Sequence, residues 1–316
     1  MGRHRLHVDN SRHPQEERPI MTTSPQPQPL LQRRQLQLID LASELEGERF
    51  HGHFASRIMA QLSLPYKDPQ GATEWVRRNN ALTLTLTPGL VTSPDGSRNR
   101  AYPYGVIPRY LMTWMTTEVV RTRSRQISLG DSLTQFLGSL GMNGSGASGR
   151  RVLDQLHRLA VASINIEDAR DVGTRWAITG ENFHIASRYD LWFSTKEVPG
   201  QDQLLGSTIT LSEQFYEEAL KSPVMLHPQI LRALSGSAMR LDLYVWLAYR
   251  LRNLQKPTTV TWSQLEAQFG SAYKHQRQFR AKFLSHWREV QIFFPQNTTA
   301  ALPSGLRLNR AAKALV

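Results

Sequence analysis

Two stretches decide how this chain folds: Leu133-Thr134-Gln135-Phe136-Leu137-Gly138 in its first half and Leu265-Glu266-Ala267-Gln268-Phe269-Gly270 in its second. In each, two large apolar residues lie four positions apart and a glycine follows the second. This spacing predicts one buried face of a short helix with a turn after it. When the two stretches are aligned, the elements predicted around them follow in the same order.

The elements around the first stretch begin with a long helix and end with two strands. They are predicted at Ile107–Arg123 (helix), Gln126–Leu129 (strand), a short helix capped by Asp131 or Ser132, Met142–Gly149 (glycine-rich turn), Arg150–Ala162 (basic helix), Ser163–Ile166 and Arg175–Thr179 (strands). The second set has the same members. They are predicted at Ser237–Asn253 (helix), Thr258–Thr261 (strand), a short helix from Ser263, Tyr273–Glu289 (basic helix), Gln291–Phe294 and Leu306–Asn309 (strands).

The order helix, strand, helix, turn, helix and two strands is typical of a winged helix. Its repetition predicts an α+β, helix-rich fold with two tandem winged-helix domains and a disordered N-terminal arm. Prolines at alternate positions in Ser24-Pro25-Gln26-Pro27-Gln28-Pro29 disfavour both helix and sheet there. The predicted boundaries are 1–30 for a flexible basic arm, 31–100 for a helix and strand extension, 101–206 for the first winged helix and 207–316 for the second.

Within the extension, leucines and Ile39 predict a helix from Leu31 to Leu45. The strict alternation over Leu82–Thr87 predicts a strand with one buried face.

The composition favours a polyanionic partner. Lys and Arg outnumber Asp and Glu by 38 to 26 in the 316 residues, giving a net charge of +12. Such a field attracts nucleic acid or an anionic membrane surface. The sequence has no apolar run of about 20 residues that could span a bilayer and no apolar core after its basic N-terminus, so we expect a cytoplasmic protein without a membrane partner. The lack of cysteine excludes disulfides, zinc fingers and thiol nucleophiles.

The second basic helix carries the strongest candidate contact residues for double-stranded DNA. Phe279, Phe283 and Trp287 recur every four residues and predict its buried face. Arg can pair with guanine and Gln with adenine, so Arg277 and Gln278 are candidates for reading bases. Lys274, Arg280 and Lys282 are expected to hold phosphates. The alternative is an ordinary solvated helix face.

The first basic helix gives a weaker signal of the same kind. Its candidate DNA contacts, predicted to face outward or to border the following wing, are Arg150, Arg151, Gln155, Arg158 and Arg175. A helix used for contacts in a homodimer would show the same pattern, and this alternative stays open.

Two patterns suggest enzyme chemistry, but neither has the context that the chemistry requires. The run Gly144–Gly149 matches G-x-G-x-x-G, yet it follows a predicted helix, whereas a dinucleotide site needs it after a strand. His51-Gly52-His53 resembles the metal-binding histidine pair of nicking nucleases, but glycine is a poor strand former and no acidic third ligand lies nearby. We therefore expect no catalytic residue, metal site or cofactor.

The run from Pro65 to about Ile166 resembles the plasmid-encoded RepA replication initiators. The resemblance lies in Arg77-Arg78-Asn79-Asn80-Ala81-Leu82-Thr83-Leu84-Thr85, in Pro103-Tyr104-Gly105-Val106-Ile107-Pro108-Arg109, and in matched positions between Trp114 and Leu137. Ala101 and the inserted-looking segment Val91–Arg100 depart from the family pattern.

This resemblance implies binding to repeated origin sequences, opening of AT-rich DNA, and recruitment of the host replicative helicase and host initiator proteins. It also implies repression of the protein's own promoter, often as a homodimer. A transcriptional regulator without a replication role and a nicking rolling-circle initiator are the alternatives.

Overall fold

The computed structural model describes residues 33–310, apart from 62, 94, 143–145, 193–205, 271–272, 274 and 296–297. Helices and strands are mixed and helix is in excess, which confirms the α+β, helix-rich prediction. The predicted arm at 1–30 and the candidate Lys274 lie outside the described residues. Within them, no helix is long and apolar enough to cross a membrane.

The N-terminal segment combines two short helices with five strands. They are α1 (Arg33–Glu44), β1 (His53–Ala55), α2 (Arg57–Gln61), β2 (Trp75–Asn79), β3 (Leu82–Thr87), β4 (Gly89–Thr92) and β5 (Arg98–Ala101). The predicted helix and the alternating strand are both confirmed. Leu84 and Leu86 of β3 are buried, as alternation requires for one face of a sheet.

The first repeat unit, residues 107–211, follows. Its elements are α3 (Ile107–Thr122), β6 (Gln126–Ser128), α4 (Leu133–Ser139), α5 (Gly146–Val161), β7 (Ser163–Asp171), β8 (Trp176–His184), β9 (Ala186–Asp190) and β10 (Thr208–Leu211). Ser132 caps α4 by accepting a hydrogen bond from the backbone N–H of Gln135 at 3.1 Å, so the predicted cap is confirmed.

A connecting segment leads to the second repeat unit, residues 238–308. The connecting elements are α6 (Glu213–Lys221), β11 (Val224–Leu226) and α7 (Pro228–Leu234). The second unit contains α8 (Ala238–Asn253), β12 (Thr258–Thr261), α9 (Trp262–Phe269), α10 (Gln276–Val290), β13 (Thr299–Leu302) and β14 (Gly305–Leu308).

Each unit contains an antiparallel sheet with the same strand order. In the second unit the order is β12-β14-β13, and in the first it is β6-β10-β9. The strand that precedes the short helix therefore pairs with the last strand of its unit in both cases. The repetition predicted from the sequence thus extends to the sheets.

The two strands predicted at the end of the first unit are present, but they belong to another sheet. β7 and β8 join the N-terminal segment in the order β2-β3-β7-β8, and β9 and β10 occupy the place expected for them. Ile164 and Ile166 of β7 lie opposite Leu86 and Leu84 of β3, so the match of two apolar faces accounts for this pairing.

The strand predicted at Gln291–Phe294 is wrong. Residues Gln291–Phe293 form a 3-10 turn that continues from α10, and the backbone N–H of Phe294 donates to the carbonyl of Gln291 at 3.0 Å. Phe293 is 1% exposed. Burial in the core at the end of a helix therefore explains the apolar run that the sequence alone assigned to a strand.

A buried ion pair joins the two units. The guanidinium of Arg109 on α3 donates to both carboxylate oxygens of Asp242 on α8, at 2.6 and 2.8 Å. Its Nη2 also donates to the carbonyl of Leu64 at 2.8 Å. Because both partners are buried and lie on helices of different units, this ion pair ties α3 to α8.

Candidate nucleic-acid interface

The inner face of α10 is held by aromatic packing. Phe283 lies 5.9 Å from Phe269 and 5.8 Å from Trp262 between ring centroids, and 5.6 Å from Phe279 on its own helix. Trp287 is also buried. The predicted stripe at every fourth residue is confirmed, and it leaves the opposite side of α10 directed to solvent.

The outer face of α10 carries three of the predicted contact residues. Arg277, Gln278 and Lys282 are exposed. Within the described part of the chain, no side-chain hydrogen bond or ion pair involves any of the three. The fold therefore leaves this polar face available for an external ligand.

Arg280 lies at the edge of this face. It is half-buried, and its guanidinium carbon lies 4.7 Å from the ring centroid of Trp262, within the range of a cation–π contact. The indole N–H of Trp262 donates to the carbonyls of Leu302 and Pro303, at 3.2 and 3.0 Å. These contacts link Arg280 through one ring to the turn between β13 and β14.

The C-terminal end of α10 is anchored from two sides. Glu289 accepts a hydrogen bond from Arg34 on α1 at 2.6 Å and forms an ion pair with Arg240 on α8. These two arginines hold the pKa of Glu289 down against the opposite effect of its burial. Since both partners lie on other helices, the direction of α10 is fixed by the surrounding structure.

The first unit exposes fewer of its predicted residues. Arg150 and Arg151 on α5 are exposed, and Arg150 has an internal interaction. The prediction that Gln155 faces outward is wrong, because it is 6% exposed. Its Oε1 accepts a hydrogen bond from the backbone N–H of Tyr104 at 2.9 Å, so the residue serves the fold.

Arg158 also departs from the prediction. It is half-buried, its Nε lies 2.8 Å from a carboxylate oxygen of Asp154, and its Nη1 lies 3.8 Å from one of Asp68. Its guanidinium carbon is 5.6 Å from the ring centroid of Tyr104. Two carboxylates therefore neutralise a cation that the helix periodicity placed on an outward face.

The close approach of α4 and α5 depends on Gly149, which was predicted to lie in the turn between them. The predicted turn Met142–Gly149 is too long, because α5 begins at Gly146. Gly149 is buried, and a Cβ there would overlap the side chain of Leu133. The absence of a side chain lets the two helices touch, which explains the glycine better than a phosphate-binding loop does.

Arg175 is exposed at the turn between β7 and β8, apart from the sheet that β6, β10 and β9 form. Its carbonyl accepts a hydrogen bond from the N–H of Val172 at 2.8 Å. Val172, Trp176 and Ile178 near this turn are more than half exposed. The alternation of Trp176 and Ile178 in the sequence is the signal for this apolar tip.

The histidine pair considered as a metal site is divided between two environments. His51 is exposed, whereas His53 is half-buried in β1, and burial together with Arg121 and Arg232 lowers the pKa of His53. Among the described residues, no group of three or more His, Cys, Asp or Glu side chains has an arrangement that could hold a metal ion.

Comparison with known proteins gives one family and one fold. The model of the family described as plasmid-encoded RepA protein matches residues 102–264, slightly more than half of the chain. No curated protein matches the sequence.

Among solved structures, a crystal structure of selenomethionine derivatives of domains 2 and 3 of RctB is similar over 82% of this chain and 97% of its own, with a TM-score of 0.51 and 12% identity. A second crystal structure, of RctB domains 2–3, covers 76% of this chain and 84% of its own, with a TM-score of 0.47 and 15% identity. At 12% identity, the likeness to the first of these structures shows a shared fold.

Proposed function

The chain belongs to the family of plasmid-encoded RepA proteins, which are replication initiators, and we propose that it binds repeated origin sites on double-stranded DNA through two winged-helix domains. The repeated sheet order supports this reading of the two units. Because β10 pairs with β6, we place the boundary between the two domains after Leu211, a few residues beyond the 206/207 division expected from the sequence.

In this proposal α10 and α5 are the recognition helices. The observation that carries it is the outer face of α10, where Arg277, Gln278 and Lys282 have no side-chain partner within the described part of the chain. Arg277 and Gln278 read base edges, because Arg and Gln can each form two hydrogen bonds to one base. Lys282 and Arg280 hold phosphates, as we expect also of Lys274.

The first domain contributes positioning contacts from Arg150 and Arg151. Arg175 contacts DNA only if the β7–β8 hairpin reaches the duplex. Gln155 and Arg158 have no place in the interface, since one is buried and the other is neutralised.

Downstream of binding, we propose that the duplex beside the repeats opens and that the host replicative helicase and initiator proteins are recruited in the cytoplasm. Repression of the protein's own promoter and a homodimeric form belong to the same proposal. No covalent step is required of the protein.

Salt dependence of binding tests the proposal. An anisotropy titration of the full chain with a duplex carrying the plasmid's own origin repeats should give a slope of log affinity against log salt of about −0.9 for each phosphate neutralised. A slope close to zero contradicts the proposed interface. Incubation of supercoiled origin plasmid with protein and magnesium should leave it intact, whereas a nicked product would favour the rolling-circle alternative.

A further inference from the structure

A cleft of about 370 Å³ separates the first unit from the connecting segment. Its described walls come from the start of α3, Gly141 and Met142 after α4, Ser148 and Arg151 of α5, and the end of α7. The lining residues are Val106, Ile107, Tyr110, Gly141, Met142, Ser148, Arg151, Arg232 and Ser235. The cleft thus lies directly beside the N-terminal part of the first recognition helix.

Among the described lining residues, the ionic groups are two arginines, one on α5 and one on α7. Arg151 belongs to α5 and Arg232 to the last turn of α7, and both are exposed. Neither guanidinium has an ion pair or hydrogen bond within the described part of the chain. Two cations facing a common space without a carboxylate create a positive potential that an anion would relieve.

The side chain of Arg232 lies against the chain just after the end of α4. Its Nη2 would lie 3.3 Å from a Cβ at Gly141, so the guanidinium rests against this glycine. Tyr110 offers no free donor, because its hydroxyl already donates to the carbonyl of Leu231 at 2.7 Å. The side-chain polar groups left for a ligand are therefore the two guanidinium groups and the hydroxyls of Ser148 and Ser235.

We propose that this cleft binds one backbone phosphate of the DNA held by α5, with Arg151 and Arg232 on either side of it. The planar guanidinium matches a phosphate with two parallel hydrogen bonds, and Val106, Ile107 and Met142 add apolar contacts in the same cleft. Arg232 is then a DNA contact outside both recognition helices. The inference rests on the proposed function and extends it to the connecting segment.

The test compares Arg232→Gln with Arg252→Gln in the full chain. Arg252 is a matched control, since it is also an exposed arginine in the last turn of a helix, but it does not line the cleft. With an origin duplex, Arg232→Gln should weaken binding about tenfold and make the salt slope shallower by about one phosphate equivalent. Arg252→Gln should change neither quantity.

Duplexes in which single phosphates are replaced by methylphosphonate locate the contact. One position should weaken binding of the native chain and have no effect on Arg232→Gln. If Arg232→Gln and Arg252→Gln behave alike, the proposed phosphate site in the cleft is refuted while the proposed function stands. If the native chain shows no salt-dependent binding to origin DNA, both are refuted.

A thermal shift with inorganic pyrophosphate separates DNA from a small phosphate compound. Stabilisation that requires Arg232, in a protein whose DNA affinity does not depend on Arg232, would assign the cleft to a free phosphate ligand and overturn the proposal. Circular dichroism confirms that each variant is folded.

Discussion

The two basic helices, α5 and α10, hold the same place in the order of elements of their units but have different surroundings. On α10, Arg277, Gln278 and Lys282 have no internal side-chain partner among the described residues, whereas on α5 Gln155 is buried and Arg158 is paired with carboxylates. The difference comes from neighbours distant in sequence. Tyr104 and Asp68, which precede α3, contact side chains of α5, while no such contact with Arg277, Gln278 or Lys282 of α10 occurs within the described residues.

The comparison suggests a division of labour between the two domains. A helix whose polar side chains are already bonded has fewer groups to offer a base, because each internal hydrogen bond would have to be exchanged for a new one. We therefore expect α10 to read sequence and α5 mainly to position the duplex. Four predictions concern these two units, from the largest expected effect to the smallest, and the last two test this contrast directly.

The largest effect should come from uncoupling the two units. Arg109→Met leaves Asp242 buried without its partner, and we expect the free energy of unfolding to fall by about 3–5 kcal/mol. Urea denaturation measures the loss. The double variant Arg109→Met/Asp242→Leu should recover much of it, and a loss below about 1 kcal/mol in the single variant would show that the ion pair does not hold the units together.

The second effect concerns a histidine on the inner face of α10. Burial, with Lys282 and Arg240 nearby, lowers the pKa of His286 from 6.5 to about 4, so the unfolded chain binds the proton more readily. Stability present above pH 6.5 should then be lost as the pH falls towards 4. Linkage gives about 3 kcal/mol for the full change.

His286→Gln should remove this part of the pH dependence, measured as the difference in unfolding free energy between pH 7.5 and pH 4. His157→Gln on α5 provides the control and should change this difference in unfolding free energy less. His157 is only half-buried, and the nearby Asp154 opposes the lowering of its pKa. An unchanged pH profile in His286→Gln would contradict the prediction.

A matched pair of glutamines sharpens the contrast further. Gln155→Ala leaves the N–H of Tyr104 without its acceptor and should cost about 1–3 kcal/mol of stability with no change in base preference. Gln278→Ala should leave stability within about 0.5 kcal/mol but lower discrimination at one base pair. Thermal unfolding and a binding competition with single-base variants measure both quantities, and the reverse outcome would refute the division.

Local patterns in the sequence are sufficient to predict much of this fold. Apolar spacing and, for α4, the capping residue Ser132 give α3, α4, α8 and α10, because these signals lie within a few residues of the element they determine. They do not indicate which strands pair. The place of β9 and β10 beside β6 depends on residues far apart in the chain, and so does the pairing of β7 with β3.

The candidate site is predictable to a similar extent. On α10 the buried stripe places Arg277 and Gln278 correctly on the outer face. Gln155 comes directly before a buried leucine of α5, just as Gln278 comes directly before Phe279 of α10. The burial of Gln155 nevertheless depends on Tyr104, which periodicity does not reveal. A helical pattern thus indicates which face is apolar, but it does not indicate whether the polar face meets solvent or another part of the chain.

The central claim is tested most directly by measuring how tightly Arg277→Ala and Arg151→Ala bind an origin duplex and a shuffled duplex of equal length. We predict that Arg277→Ala loses about 1–3 kcal/mol on the origin duplex and much less on the shuffled one, while Arg151→Ala weakens both equally. Equal losses on the two duplexes for Arg277→Ala would contradict the assignment of α10 as the helix that reads sequence.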